Sequence, residues 1–268
     1  MADEKFTVLD FKRKKEAGEK ITMLTAYDYP IARIIDRAGI DAILVGDSVG
    51  MVMLGYSNTV SVTMDEMIYH SKAVRKGTER AFLIGDMPFM SYQACNEDAV
   101  RNAGRFVQEA GCEAVKLEGG REIAPRIEAI ISAGIPVLGH IGLTPQSASK
   151  LGGYKVQGRD SDSAAALVED ALSLEKAGCF AVILECVPGE LAEKITRKLS
   201  VPTIGIGAGV SCDGQVLVTY DAIGYFDKFT PKFVKKYADV SKTIGEAISA
   251  FKREAESGVF PDDEHSFS

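Results

Sequence analysis

Residues Ala164 to Pro188 read AAALVEDALSLEKAGCFAVILECVP, and they contain one complete repeat of the fold. The first part is helix-like and closes on Ala177-Gly178, where glycine just past a helix end serves as a C-cap. The run Ala181 to Pro188 that follows begins with four apolar residues, ends on Glu185 and is stopped by proline. A short run rich in Val, Ile and Leu predicts a strand buried on both faces, as in a parallel sheet. Working outward, the same signal recurs at Ile21 to Asp28, Ala42 to Ser48, Ala81 to Pro88, Ala114 to Gly120, Pro136 to Leu143, Pro202 to Gly209 and, most weakly, Gly214 to Ile223. Helix-like segments Ile34 to Gly39, Ala99 to Gly111 and Ile127 to Gly134 precede further strands. The β-α alternation with eight strands predicts an α/β fold, a single (β/α)8 TIM barrel. An open doubly wound sheet is its rival, because strand order is not written in one sequence.

The 268 residues suit one such barrel. The expected organisation is therefore one domain, 1-268, with an N-terminal helical segment and a C-terminal helical extension beyond Gly224. A net charge of -7 leaves no excess of Lys and Arg to neutralise phosphates, so nucleic acid is an unsuitable partner. No apolar run approaches the length of about 20 residues that a membrane helix needs. The opening MADEKFTVLDFKRKKEAGEK mixes both charge signs and lacks an apolar targeting core. Five cysteines, an odd number without two-residue spacing, read as free thiols. A cytoplasmic location with no membrane partner is expected.

Active sites of such barrels lie at the carboxyl ends of the strands. There the sequence places Asp47, Ser48, Asp86, Lys116, Glu118, His140 and Glu185. Lys116 and Glu118 are two apart and share the face toward the barrel axis, while Val115 and Leu117 face the helices. Each residue has a plainer reading alone. Asp47 or Asp86 could cap a helix, Lys116 and Glu118 could form a structural ion pair, and His140 could be a satisfied core residue. Their coincidence on one rim favours chemistry. Carboxylates from different strands suit a hard cation such as Mg²⁺ and disfavour zinc. With Mg²⁺ holding a 2-oxo acid, Lys116 would balance its negative charge and Glu185 could remove a proton.

Two stretches depart from the repeat. Thr144 to Ser163, TPQSASKLGGYKVQGRDSDS, is polar and glycine-rich and reads as a long loop with the character of a lid. The glycines of GIGAG, Gly205 to Gly209, could cradle phosphate or could serve tight packing.

The blocks TAYDYPIA, VGDSVGM, DMPFMSY, VKLEGG, GHIGLTPQS, GGYKVQGR, LECVP and IGIGAG, in this order, closely resemble the 3-methyl-2-oxobutanoate hydroxymethyltransferase family, also called ketopantoate hydroxymethyltransferases. The resemblance spans roughly Ile21 to Lys235 and continues into the EHSF tail. It implies a barrel of the phosphoenolpyruvate/pyruvate superfamily type. It also implies hydroxymethyl transfer from 5,10-methylenetetrahydrofolate to 3-methyl-2-oxobutanoate through a Mg-stabilised enolate, the first committed step of pantothenate and coenzyme A biosynthesis. By the family pattern Asp47, Asp86 and Glu118 fall at the Mg²⁺ positions, and Asp47, Ser48, Asp86 and Lys116 at the 2-oxo acid site. Glu185 matches the proton acceptor and His140 lies near the substrate. The family assembles as a homodecamer built from pentameric rings. Two other readings compete: a Mg-dependent lyase or mutase of the same superfamily, and a non-catalytic barrel that binds a small acid. The first would be expected to carry a loop cysteine, and Thr144 to Ser163 has none.

Overall fold

The computed structural model describes residues 4–228 and 230–267. The expected domain 1-268 therefore includes positions 1–3, 229 and 268 that lie outside the described residues. Eight parallel strands close into a barrel in sequence order, and β8 pairs with β1. They are β1 (Ile21–Thr25), β2 (Ala42–Val45), β3 (Phe82–Asp86), β4 (Ala114–Glu118), β5 (Val137–Gly142), β6 (Ala181–Glu185), β7 (Thr203–Ile206) and β8 (Gly214–Leu217). Each lies within an expected run and is shorter, because the chain leaves the ladder where the polar rim begins. Closure removes the open-sheet alternative.

The helices, in order, are α1 (Val8–Ala17), α2 (Tyr29–Arg37), the single turn α3 (Val49–Val52), α4 (Met64–Gly77), α5 (Asn96–Ala110), α6 (Ala124–Ser132), the turn α7 (Ala148–Leu151), α8 (Ser161–Lys176) and α9 (Gly189–Lys198). The segments Ile34 to Gly39, Ala99 to Gly111, Ile127 to Gly134 and Ala164 to Gly178 correspond to α2, α5, α6 and α8, each of which starts a few residues earlier than its apolar pattern. Caps explain two of those starts: Asp28 accepts from the Ile31 amide and Asp160 from the Ser163 amide, so each helix begins at its capping carboxylate. The alternation lapses between β7 and β8, which residues 207–213 join without a helix.

This first compact unit ends at Val218; a second begins at Thr219. The second contains the turn α10 (Thr219–Ala222) and the long helix α11 (Val240–Ser257), which buries none of its residues. Among the described residues, no helix is long and apolar enough to cross a membrane.

At the amino ends of the strands, α1 stoppers the barrel. Phe11 is fully buried and meets Phe6, Phe82 and Phe180 edge to face. Lys14 reaches Asp41 at 2.7 Å and Lys15 reaches Asp213 at 2.8 Å. These carboxylates also accept from the backbone amides of Thr22 and Thr203, so the same groups satisfy strand ends and fasten the helix.

Outward-facing positions next to the site admit no bulk. A Cβ on Gly85, one residue before Asp86, would stand 2.3 Å from the ring of Phe106, itself fully buried in α5. Gly104, inside the same helix, has open space around the equivalent atom. Gly85→Ala should therefore cost about 1–3 kcal/mol by overpacking, whereas Gly104→Ala should gain about 0.5–1 kcal/mol by removing backbone freedom from a helix interior. Urea unfolding of the two variants should move the midpoint in opposite directions; a shared direction would contradict this account of the β3–α5 contact.

Candidate active site

The barrel gathers the seven rim residues through the ends of five strands. Lys116, on β4, is 3% exposed, and its ammonium lies 2.9 and 3.0 Å from the two oxygens of Asp86 on β3. It also donates to Glu118 Oε1 at 3.1 Å, so one cation serves carboxylates on neighbouring strands. Asp86 Oδ2 in turn accepts from the backbone amide of Asp47 at 3.0 Å, which locks the turn after β2. Neither Asp47 nor Asp86 caps a helix here. The Lys116–Glu118 ion pair exists, but inside a larger cluster.

His140 stands between two carboxylates on β5 and its neighbours. Its Nδ1 lies 3.5 Å from Glu118 Oε1 and its Nε2 lies 3.2 Å from Glu185 Oε2. Neither approach has hydrogen-bond alignment, so the ring is held by charge and packing and is not a satisfied core histidine. Glu185 is the most accessible of the four carboxylates, its side chain 16% exposed at the end of β6. The next residue, Cys186, turns the chain away in a left-handed conformation, φ 48°.

The charges are strongly perturbed. Burial pushes the Asp47 carboxyl well up, and its neighbours Asp86 and Glu118 push it further. Burial also raises Asp86, although Lys116 pulls the other way. Burial works against ionised Glu118 too, but Lys116 and His140 bring it down to about 2. Burial disfavours the Lys116 ammonium, yet Asp86, Glu118 and Asp47 outweigh burial and raise it. Carboxylates thus outnumber cations in a dry pocket, a costly arrangement without a further positive group.

Several members of the site come from outside the strand ends. Ser48 shares a hydrogen bond of 2.8 Å with the hydroxyl of buried Tyr27. The Tyr92 hydroxyl lies 2.9 Å from the Glu118 carbonyl and accepts from the Glu118 amide at 3.1 Å. Gln146, 5% exposed, reaches Asp47 through its side chain and Glu118 through its backbone. Tyr27, Tyr92 and Gln146 stand in motif blocks, yet the list of strand-end residues passes over them because they reach the rim from beyond the strands.

The stretch Thr144 to Ser163 is not one irregular loop. It contains a 3-10 turn at Pro145–Ser147 and α7, and its last three residues begin α8. The Gln157 amide donates to the Cys186 carbonyl at 2.9 Å, fastening the segment beside Glu185. The Tyr154 phenol is raised by burial and then by Asp47, Glu185 and Glu118, which places it in the field of the site. A cavity of about 220 Å³ lies between the segment and the start of α8, lined among others by Gly119, Gly142, Thr144, Lys150 and Gln157, and none of the seven rim residues lines it. In GIGAG, a Cβ on Gly205 would come 3.0 Å from Cys212 Sγ, so tight packing accounts for that glycine.

Among the described residues, no three His, Cys, Asp or Glu side chains form a ready metal-binding cluster. Lys116 stands among the carboxylates in question. Their donor chemistry is nonetheless that of a hard cation: oxygen ligands only, with more buried carboxyl groups than buried cations.

Comparisons with known proteins speak for the family and the fold. A family model described as ketopantoate hydroxymethyltransferase matches residues 5–263. A 3-methyl-2-oxobutanoate hydroxymethyltransferase of Acetivibrio thermocellus is 57% identical over 99% of this chain and 94% of its own. One from Syntrophomonas wolfei is 58% identical over 98% of this chain and 95% of its own. Among solved structures, phosphonopyruvate hydrolase in complex with oxalate and Mg++ has a TM-score of 0.63 at 12% identity, covering 97% of this chain and 91% of that one. A 2,3-dimethylmalate lyase, of the PEP mutase/isocitrate lyase superfamily, has a TM-score of 0.60 at 16% identity, covering 97% and 91%. At such identities the structures speak for the fold alone, a closed parallel barrel ringed by helices.

The charge balance makes a pH prediction for metal-free protein. Burial and Lys116 act to lower the His140 pKa, but Glu118 and Glu185 prevail and raise it from 6.5 to about 9. A raised folded-state pKa stabilises the fold fully below pH 6.5, and that contribution is lost as pH rises through 9. In EDTA, the native protein should lose stability relative to His140→Gln between these pH values. Urea unfolding across the range checks this, and a constant difference between the two proteins would rule it out.

Proposed function

The chain belongs to the ketopantoate hydroxymethyltransferase family, and from that premise we propose how its rim residues divide the work. The enzyme is a hydroxymethyltransferase acting on 3-methyl-2-oxobutanoate. The carbon comes from 5,10-methylenetetrahydrofolate and the hydroxyl from water, giving 2-dehydropantoate and tetrahydrofolate on the route to pantothenate. The sequence's other two readings, a lyase or mutase and a non-catalytic barrel, yield to near-full-length relatives at 57 and 58% identity.

Asp47, Asp86 and Glu118 would hold Mg²⁺, consistent with the oxygen donors and the excess of carboxyl groups described above. When bound, Mg²⁺ polarises the 2-oxo group and so acidifies the adjacent C3–H. Lys116 balances the carboxylate charge brought in by the substrate, while Ser48, oriented by Tyr27, offers a hydroxyl beside Asp47. Glu185 takes the proton from C3, and His140 steadies the Glu185 carboxylate from 3.2 Å. C3 then bonds to the methylene carbon as the first of that carbon's two bonds to folate nitrogen breaks; water oxygen bonds to the same carbon as the second carbon–nitrogen bond breaks, and the two freed folate nitrogens take up one proton from C3, by way of Glu185, and one from water. The observation that carries this division is the position of His140, which links the carboxylates around Lys116 to the single more open carboxylate, Glu185.

The same reading covers the larger organisation. We take residues 1-268 as one barrel domain with helical ends, located in the cytoplasm. A homodecamer of pentameric rings would give cover to α11, where Ile244, Ile248 and Phe251 share one stripe and are exposed.

Proton NMR of 3-methyl-2-oxobutanoate in D₂O tests the mechanism. With Mg²⁺ and native enzyme the C3 proton signal should vanish, and EDTA should prevent its loss. Glu185→Gln should still bind the 2-oxo acid but slow the exchange by about 10²–10⁴-fold, the usual contribution of a positioned base. Near-native exchange in that variant would take Glu185 out of the base role.

A further inference from the structure

Gln146 is the most heavily committed side chain near the site that the catalytic scheme leaves without a task. It sits just past β5, in the 3-10 turn that opens the segment Thr144 to Ser163, and it is 5% exposed. Its Nε2 donates to Asp47 Oδ2 at 3.0 Å and to the Met87 carbonyl at 2.9 Å. Its Oε1 lies 3.0 Å from the Tyr92 hydroxyl and accepts from Gln93 Nε2 at 3.1 Å. Its backbone amide donates to Glu118 Oε2 at 3.0 Å.

These partners force one orientation of the amide. Turning it over would face its oxygen toward a carboxylate and a carbonyl, and its nitrogen toward the Gln93 amino group. Both Nε2 protons are donated and Oε1 accepts from Gln93, so the amide is held in one orientation. Being neutral, it can donate to Asp47 without adding to or cancelling the charge a ligand must meet.

We propose that Gln146 is a positioning residue which holds the Asp47 and Glu118 carboxylates, one oxygen each, and so fixes the directions from which the two groups can meet the cation and the 2-oxo acid, Glu118 Oε1 being already bonded to Lys116. The assignment rests on the functional reading given above. It spans the ends of β2, β3 and β4 from the end of β5, and no other side chain described here bonds to both the β2 turn and the β3 turn while its own amide holds β4. Partners that orient metal-binding groups typically cost 10–100-fold in metal affinity when removed. Lys116 cannot substitute, because it engages Asp86 and Glu118 but makes no hydrogen bond to Asp47.

The test is calorimetric titration of Mg²⁺ into native protein and Gln146→Met, with and without 3-methyl-2-oxobutanoate, together with steady-state constants. Methionine keeps the length and apolar volume while removing the amide. Gln146→Met should bind Mg²⁺ in the presence of the 2-oxo acid about 10–100-fold more weakly, and KM for the 2-oxo acid should rise alongside. KM for methylenetetrahydrofolate should stay as in the native enzyme. Gln146→Asn keeps a neutral amide but is too short to reach Asp47; it should show the same weakening and decides the matter where Gln146→Met does not fold. A lower melting temperature with native Mg²⁺ and 2-oxo acid constants in the folded variant would reduce Gln146 to a structural role and overturn the proposal. If native protein itself bound neither Mg²⁺ nor the 2-oxo acid, the functional reading would fail first and take this assignment with it.

Discussion

The buried ammonium of Lys116 is the constraint on which the site depends. It sits between Asp86 and Glu118 with almost no solvent, where removal of one partner from a buried ion pair typically costs about 3–5 kcal/mol. That penalty does more than stabilise. It requires β3 to present its last residue, Asp86, level with Lys116, two residues before the end of β4, and it fixes the direction in which Asp86 can turn its oxygens. Asp86 then receives the Asp47 amide, so the turn after β2 is set by a charge two strands away. The barrel supplies the scaffold, and the ion cluster sets the register of its upper edge.

Much of this could be read before any coordinates. Strand runs are conspicuous because both faces of a parallel barrel strand are buried, and their polar last residues mark the rim. The period-two argument for Lys116 and Glu118 works for the same reason: pleating leaves no other way for both to avoid the helix layer. Helix α4 was harder, since its mixed surface hides the apolar stripe. Its start was nevertheless written in Thr63 and Glu66, whose reciprocal hydrogen bonds form a capping box.

Gln146, Tyr27 and Tyr92 escaped for a different reason. A loop residue has no period, and its reach depends on where neighbouring strands end, which is a tertiary fact. Gln146 was further disguised by its setting, because the polar, glycine-rich stretch after β5 resembles a mobile lid throughout. The structure separates that stretch into a root bonded to the acid cluster and a remainder beyond it. The direct join of β7 to β8 was equally hidden, for the repeat alone calls for a helix there.

The division of Thr144 to Ser163 has a mechanical consequence. The segment is tied at two points: Gln146 to Asp47 and Glu118, and the Gln157 amide to the Cys186 carbonyl beside Glu185. One anchor rests on the groups that would bind cation and 2-oxo acid, the other on the residue next to the proposed base. Tyr154 lies between them, within the field of both sets of carboxylates. Any displacement of the intervening residues must pivot on these anchors. Because the first anchor is neutral, it can hold through the entry of a charged ligand, while the second, made by backbone atoms alone, is insensitive to charge. The segment is therefore placed to keep its shape while the electrostatics beneath it change.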